Sequence, residues 1–383
     1  MPRVGPLGIL GGGQLGRMTL QAASVLGVDV AIGERFADSP AARLTSHSVV
    51  FEGGWNDPEA LDRLAGLASV VTLENEFVDW RVLQSLEERG VSMWPSPACV
   101  RVVQDKLLQK QALARAELPV PPFLEVADPD GAVAAADQLG WPVMLKARRD
   151  GYDGRGNVLV SRAEEADAAC QRLGWPERKL FAEAFLDFER ELACLIVRGI
   201  DGGIVEYPVV ETRQDPSLHI CREVLAPASV PSSVASQAAS IARGAVQAVG
   251  GVGAFGVELF LLKDGQVCVN ELAPRPHNSA HYSIEACWTS QFDNHVRAVL
   301  GLPLGDTALR APAAAMVNLL GSGAHSLDEQ SLIGALAEPH AYVHLYGKAE
   351  NRAGRKMGHV TAIGDSREEA LARARRAAQR INV

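Results

Sequence analysis

The chain lacks most of what would mark it as secreted, membrane-bound or built to hold nucleic acid. Its 383 residues include only six cysteines (Cys99, Cys170, Cys194, Cys221, Cys268 and Cys287), far apart and without a CxxC pair. Neither a zinc knuckle nor a disulfide framework is indicated. Several sit in apolar runs such as Leu192-Ala193-Cys194-Leu195-Ile196-Val197 and read as reduced core residues of a cytoplasmic protein. No stretch approaches the roughly 20 apolar residues of a membrane span. The start runs directly into Gly8-Ile9-Leu10-Gly11-Gly12, so no signal peptide is expected. Basic residues are outnumbered, 37 Lys and Arg against 46 Asp and Glu. That excludes the broad basic face a nucleic-acid partner needs, while leaving room for a local phosphate pocket. What remains is the composition of a globular enzyme, long enough for two or three domains.

Along the chain the pattern is α/β. Leu7-Gly8-Ile9-Leu10 reads as a buried strand, followed by glycines and a helix with Leu15, Met18, Ala22 and Leu26 on one face. Val28 to Ile32 and Ala68 to Leu73 read as further strands, and Asn56-Asp57-Pro58-Glu59 as a helix start. This βαβ order implies a parallel sheet over residues 1–100, with the pattern breaking near Pro95-Ser96-Pro97. A second unit, 101–298, has a helix over 105–117 and a stiff connection at Pro119, Pro121 and Pro122. It continues with strands at 143–147, 158–160, 180–184, 191–197 and 204–210, then a helix over 232–249. A small β-rich part, 299–383, ends in a helix opened by a Ser366/Glu369 capping box.

Between Gly256–Leu262 and Gln266–Leu272 stands Lys263-Asp264-Gly265. Asp-Gly is the strongest short hairpin signal. A two-residue turn there pairs Lys263 with Gln266 and sets Glu258 opposite Glu271. Directly opposed like charges are destabilising, so the pair calls for a cation, with Asn270 as a neutral oxygen ligand beside it. Oxygen-only donors suit Mg²⁺ bridging phosphates. The competing arrangement is a register slip that turns one glutamate to solvent.

Two glycine-rich loops carry different messages. Gly11-Gly12-Gly13-Gln14-Leu15-Gly16, with Glu34 downstream, fits the dinucleotide-binding pattern, but also a plain tight turn, or a turn whose Gln14 faces another substrate. Lys146 ends a strand and is followed by Arg148-Arg149-Asp150-Gly151-Tyr152-Asp153-Gly154-Arg155-Gly156-Asn157. Such glycines free backbone to wrap phosphate oxygens that a lysine can reach; a solvated hairpin loop is the bland alternative. The basic run Tyr346-Gly347-Lys348 to Gly354-Arg355-Lys356-Met357-Gly358-His359 suggests an anion pocket or, equally, a solvated loop.

Taken together, Lys146, the Gly151–Gly156 loop, Glu258 and Asn270-Glu271 resemble the ATP-grasp fold. Gly11 to Met18, Asn270-Glu271-Leu272-Ala273-Pro274-Arg275-Pro276-His277-Asn278-Ser279 and the Tyr346–His359 segment narrow the resemblance to the 5-(carboxyamino)imidazole ribonucleotide synthase family. It spans nearly the whole chain. It implies a Rossmann-like pre-ATP-grasp domain (1–100), an ATP-grasp domain (101–298) with a mobile lid at about 123–184, and a small C-terminal β-rich domain (299–383). The implied reaction joins bicarbonate to 5-aminoimidazole ribonucleotide through carboxyphosphate, with ATP and Mg²⁺, in purine synthesis.

By the same resemblance, Lys106 and Lys146 touch ATP phosphates under the loop of Gly151, Tyr152, Asp153, Gly154, Arg155, Gly156 and Asn157. Glu183, Ala184, Phe185 and Leu186 form the adenine-facing hinge, and Glu191 holds the ribose. Glu258, Asn270 and Glu271 carry magnesium. Tyr152, Asp153 and Arg155 sit where bicarbonate meets the amine, with His277 and Lys348 as further catalytic candidates. Lys348 and Arg355 hold the ribonucleotide phosphate near His277 and Asn278, and Gln14 and Glu74 face the same substrate. The family is typically homodimeric and passes its product to a mutase. Two positions depart from its pattern: Gln214 stands where members often carry a nucleotide-facing His, and Lys106 where some carry Arg. Competing readings are a formate-dependent ribonucleotide transformylase or biotin carboxylase, a nicotinamide-dependent oxidoreductase using Gly11–Gly16, and a non-catalytic nucleotide-binding module.

Overall fold

The computed structural model describes residues 5–151, 156–218, 220–323 and 327–383. The first sheet is wholly parallel, in the order Ser48–Val50, Val30–Glu34, Leu7–Leu10, Val70–Leu73, Ser92–Met93. Leu7, Ile9 and Leu10 are fully buried, as expected of a central strand covered on both faces. Helices Gln14–Val25, Pro58–Leu67 and Trp80–Glu87 accompany it. Asp57 caps the second by accepting from Glu59 and Ala60 N–H, with Pro58 in its first turn. The second strand begins at Val30, not Val28, because Val28 N–H closes back on Ala23 C=O after the left-handed Gly27.

The break at Pro95-Ser96-Pro97 is a helix start. Ser96 accepts from Cys99 N–H and opens Pro97–Gln104, which runs into Lys106–Arg115. Val100 of that helix packs in the first domain's core, whereas Cys99 and Val103 pack in the next. Strands Phe123–Val126, Leu180–Ala184, Val143–Ala147 and Asn157–Val160 then form a separate antiparallel sheet. It has its own core of Val126, Ala136, Leu145, Cys170 and Leu180.

The largest sheet has nine strands. Phe188–Arg198 pairs with Gly253–Leu262 on one side and Val210–Gln214 on the other. A single strand over 204–210 does not form: Ile204–Glu206 and Val210–Gln214 are separate strands. Pro208 between them has no N–H to give to a ladder. Helix Ser232–Ala248 lays Ala238, Ile241, Ala242 and Val246 on this sheet. The C-terminal strands Ala313–Leu320, Lys356–Gly364 and Ala341–Leu345 extend it through Cys221–Ala226. Helix Arg367–Ala378 covers that end. Its Ser366 caps Glu369 N–H, but the Glu369 carboxylate takes Asp365 N–H, so only half of the capping box is present. Among the described residues no helix is long and apolar enough to cross a membrane.

The hairpin carrying the glutamates reaches the expected pairing by another route. Its loop has three residues: Leu262 N–H bonds Gln266 C=O and Gly265 N–H bonds Leu262 C=O, with Gly265 at φ +85°. Leu261 therefore faces Val267, and Leu259 faces Val269, one residue off the two-residue-turn register. A β-bulge after Val269 absorbs the error, and Glu258 still lies opposite Glu271. Asn270 is the extra residue, and the bulge turns it toward the face that Glu258 and Glu271 share.

The loop type is testable by thermal denaturation. Gly265→Ala is expected to cost about 1 kcal/mol through its left-handed conformation. Asp264→Gly, which would relieve a type I′ turn, is expected to destabilise instead, because Asp264 has no positive φ and its carboxylate accepts Gln266 N–H at 3.0 Å. A stabilising Asp264→Gly would overturn the three-residue loop.

Candidate active site

Glu258, Asn270 and Glu271 meet on one face of the bulged hairpin, with Asn270 Nδ2 at 3.4 Å from Glu258 Oε2. Burial pushes the Glu258 carboxyl up to about 8, and the charges of Glu271 and Glu191 add to it. Burial acts on Glu271 in the same sense, but Lys106, bonded directly to it, holds Glu271 below the usual range. Two carboxylates this close cannot both ionise cheaply without a cation. Their donors are all oxygen, which fits a hard divalent ion. Among the described residues no cluster of three or more His, Cys, Asp or Glu could hold a metal. Two carboxylates and an amide oxygen could hold such an ion only with further ligands completing its shell.

Three lysines converge on the same cleft. Lys106 opens helix Lys106–Arg115, capped by Asp105, which also takes a forked ion pair from Arg148 at 2.7–3.1 Å. Lys146, at the end of its strand, pairs with Glu183. Glu183 has a second partner, Lys110, at 2.9 Å, and all three side chains are buried. Burial would raise the Glu183 carboxyl, yet the two ammonium groups outweigh it and hold it at about 2. Lys110 was not singled out from sequence, although it lies one turn beyond Lys106. Gln109 was missed as well: its amide accepts from Leu272 N–H at 2.9 Å and donates to Leu272 C=O at 3.2 Å, fixing the backbone beside Glu271.

Around this centre the other candidates are distributed unequally. Gly151, Gly156 and Asn157 border the loop, and Ala147 N–H bonds Gly156 C=O at 2.9 Å. Tyr152, Asp153, Gly154 and Arg155 lie outside the described residues. The Glu183 carboxylate points into its ion triad, Ala184 N–H bonds Pro122 C=O, Leu186 is half-buried and Phe185 is exposed. Beyond them Phe188 stacks on Phe260 at 4.5 Å, an apolar wall two residues from Glu258. Glu191 faces Phe260 in the ladder, and Gln214 donates to Glu191 Oε2 at 2.5 Å.

A second group lies toward the first domain. The Gly11–Gly16 turn offers no berth for a dinucleotide pyrophosphate. Its donors serve the protein's own carboxylates: Gly12 N–H bonds Glu34 at 2.8 Å, and Gly13 and Leu15 N–H bond Glu74 at 2.7 and 3.3 Å. The anion that the helix N-terminus favours is thus already built in. Gln14 is half-buried at that helix start. Burial and the Glu34 charge raise the Glu74 carboxyl, and Lys348 draws it down. Lys348 donates to Lys356 C=O at 2.7 Å and lies 5.4 Å from the Tyr346 ring centre. Arg355, farther along, donates to Glu350 C=O at 3.0 Å.

His277 joins the two groups. Its ring lies over Gly256, where a Cβ would come within 2.3 Å of His277 Cγ. Its Nδ1 accepts from Ser279 N–H, which leaves the proton on Nε2, 3.5 Å from Glu258 Oε1. Burial, with Arg275 and Lys356, pushes the imidazole down to about 3, so it is neutral. Asn278 exchanges amide hydrogen bonds with Asn318 at 2.7 and 2.9 Å. Arg275 forks onto Glu76 of the first domain at 2.5 and 3.0 Å.

Three sequence families match the chain in order. They are the ribonucleotide synthetase preATP-grasp domain over residues 4–104, the ATP-grasp domain over 111–292, and the phosphoribosylaminoimidazole carboxylase C-terminal domain over 314–373. The chain is 41% identical over 368 residues, 95% of its length, to the phosphoribosylaminoimidazole carboxylase of Schizosaccharomyces pombe, of which it spans 66%, just under two thirds. It is 43% identical over 356 residues to the N5-carboxyaminoimidazole ribonucleotide synthase of Synechococcus elongatus, covering 93% of this chain and 88% of that one. The crystal structure of carboxyaminoimidazole ribonucleotide synthase from Aspergillus clavatus with ATP superposes over 99% of both chains, with TM-score 0.88 and 37% identity. A second structure from that organism holds ADP and 5-aminoimidazole ribonucleotide, and matches with TM-score 0.88 and 36% identity over 98% of both chains.

Two outcomes follow from the geometry. Gly256→Ala is expected to cost about 1–3 kcal/mol by overpacking and to push His277 away from Glu258, read as a lower melting temperature with lost turnover. A wild-type melting temperature would mean that the ring has room to move. Glu183 has a depressed folded value, about 2 against 4.5. Its ionised form therefore adds stability that is complete above about 4.5 and lost as pH falls toward 2, worth roughly 3 kcal/mol. Urea melts across that window should show the acid loss in the wild type and a flatter profile in Glu183→Gln. Identical slopes would refute the triad's contribution.

Proposed function

Because the chain belongs to the N5-carboxyaminoimidazole ribonucleotide synthase family of ATP-grasp enzymes, we propose that it carboxylates 5-aminoimidazole ribonucleotide with bicarbonate. The products are 5-(carboxyamino)imidazole ribonucleotide, ADP and phosphate. The observation that carries this reading is the junction at His277. There a cation-demanding carboxylate pair flanked by phosphate-reaching lysines lies 3.5 Å from a ring whose segment leads toward Lys348 and Glu74. One half suits a nucleoside triphosphate and the other an anionic ribonucleotide.

The chemistry accounts for the parts. Bicarbonate is a poor electrophile, so one of its oxygens attacks the terminal phosphorus of ATP, and the bond to ADP breaks. The substrate amine then attacks the activated carboxyl carbon, or carbon dioxide released from it. Phosphate departs and the nitrogen loses a proton. Lys106 and Lys146 exchange their carboxylate partners for phosphate oxygens and neutralise the transferring group. Glu258, Asn270 and Glu271 would hold a magnesium ion, which when bound offsets phosphate charge. Neutral His277 donates a hydrogen bond through its Nε2–H and orients, and without the imidazolium form it is no general acid at neutral pH. Lys348 and Arg355 meet the ribonucleotide phosphate, with Gln14, Glu74 and Asn278 beside it. Tyr152, Asp153 and Arg155 complete the bicarbonate pocket by family resemblance, and the 123–184 unit closes over ATP to keep water from the labile intermediate.

Gln214 takes the place of the usual ring by bonding Glu191, the ribose-facing carboxylate. Family resemblance further implies a homodimer that hands its product to a mutase. Six free cysteines, five of them buried, favour a reducing compartment such as the cytoplasm.

ADP release with purified protein tests the reading. It should require both 5-aminoimidazole ribonucleotide and bicarbonate, with neither formate nor biotin able to substitute. Glu271→Gln should lower the rate by about two orders of magnitude or more. ADP release driven by formate or biotin would assign a related ATP-grasp ligase instead, and undiminished turnover in Glu271→Gln would remove the metal assignment.

A further inference from the structure

Behind the two substrate-facing segments lies a buried polar chain that the chemistry above does not use. Gln291, His281 and His359 are completely buried and Tyr346 nearly so. The Gln291 amide brackets the His277 peptide: its oxygen accepts His277 N–H at 2.8 Å and its nitrogen donates to His277 C=O at 2.9 Å. That fixes the amide orientation, so the same nitrogen, 2.8 Å from His281 Nδ1, donates to it. The His281 proton therefore sits on Nε2. The His281 ring packs on His359 with centres 5.0 Å apart, and His344 stacks on the other side at 4.4 Å. His359 Nδ1 lies 2.9 Å from the Tyr346 hydroxyl. Burial raises that phenol, so it stays protonated and donates. Burial likewise keeps His281 and His359 neutral.

The two ends of this chain matter. Gln291 grips the backbone of the residue that reaches Glu258, and Tyr346 stands two residues before Lys348 and beneath its ammonium group. The elements bearing them are distant in sequence: a strand end near 346, a strand at 356–364 and the segment 277–291. No backbone ladder ties the His277 segment to the Lys348 segment directly, among the described residues. Side chains must set that spacing.

We propose that Tyr346, His359, His281 and Gln291 are positioning residues that hold Lys348 at a fixed distance from His277, and so set the length of the ribonucleotide site. This rests on the function proposed above. Its one contact with the nucleotide half among the described residues is His277 beside Glu258, while the ATP lysines Lys106 and Lys146 are anchored separately through Asp105 and Glu183.

Steady-state kinetics of Tyr346→Phe, His281→Leu and their double variant test it, with His281→Asn as the conservative control. Tyr346→Phe removes a single hydroxyl. It is expected to raise KM for 5-aminoimidazole ribonucleotide about five-fold, the worth of one neutral hydrogen bond, with KM for ATP changed by less than about two-fold. His281→Leu should act in the same direction, and the double variant should be less than multiplicative, as for members of one network. His281→Asn, whose Oδ1 takes the place of Nδ1 and can accept the Gln291 donor, should keep a near wild-type KM. A folded Tyr346→Phe protein with wild-type KM values, or with both KM values raised in parallel, overturns the inference while the proposed function stands. A wild-type protein indifferent to the ribonucleotide overturns both.

Discussion

Charge compensation in a cleft built on apolar strands is the constraint on which the rest depends. Glu183 is buried, and Glu258 and Glu271 are half-buried, on strands that are apolar except for these glutamates and Asn270. An isolated carboxylate there would cost several kcal/mol or simply take up a proton. Lys110 and Lys146 compensate Glu183, and Lys106 compensates Glu271. Glu258 is left with the smallest share of positive charge, and burial lifts it to about 8. The deficit is local, and it faces the open side of the hairpin. A triphosphate bringing its own cation would release Lys106 and Lys146 while supplying Glu258 and Glu271, so binding exchanges one set of ion pairs for another. Lys110 is the exception. Held by Val269 C=O as well as Glu183, it would stay in place and keep Glu183 charged were Lys146 to turn to a phosphate.

Much of this was legible in the sequence, and the reasons are physical. Glycine-punctuated loops, a lysine at a strand end and acidic residues within apolar strands all violate the local pattern, and such violations mark sites. The pairing of Glu258 with Glu271 was read correctly from a turn that does not form. A three-residue loop shifts the register by one and a bulge at Asn270 shifts it back. Neither leaves a local signature: Asp-Gly serves both loop types, and a bulge follows from how neighbouring strands pull. The bulge is nonetheless what allows consecutive Asn270 and Glu271 to face one side, which a regular pleat forbids.

What stayed illegible is the set of buried polar residues inside elements that read as ordinary. Lys110, Gln109, Gln291, Asn318, His281 and His359 look like surface positions or satisfied core residues when viewed singly. Only their partners, about 10 to 163 residues away, reveal that Lys110, Gln109 and Gln291 hold peptides of the site and that Asn318, His281 and His359 hold side chains beside it. The Gly11–Gly16 turn shows the converse. Its pattern fits phosphate binding as well as a plain tight turn, and Glu34 and Glu74, contributed by neighbouring strand ends, take its N–H groups. The glycines are needed all the same: a Cβ on Gly13 would come within 2.2 Å of Glu74 Oε1. One pattern thus serves close approach of a backbone to an anion, whether that anion is a ligand or a side chain.

The sheet's continuity explains how a site assembled from such distant segments holds its dimensions. Cys221–Ala226 pairs with Val210–Gln214 on one side and Ala313–Leu320 on the other, so the C-terminal strands are extensions of the strands that carry Glu191 and Glu258. Lys356–Gly364 pairs with Ala313–Leu320 and with Ala341–Leu345, which ends at Tyr346 and Lys348. Sheet hydrogen bonds fix strands at about 4.8 Å intervals, but the loops leaving their ends are not fixed by them. Side-chain clamps do that work: Arg275 on Glu76, Asn278 on Asn318, Arg43 on Gly347 C=O. Each clamp joins a different pair of segments, so losing one leaves the ladder intact and changes only how the ends of the site face each other. A rigid sheet with separately tied loop ends can therefore alter its ribonucleotide half without disturbing the nucleotide half.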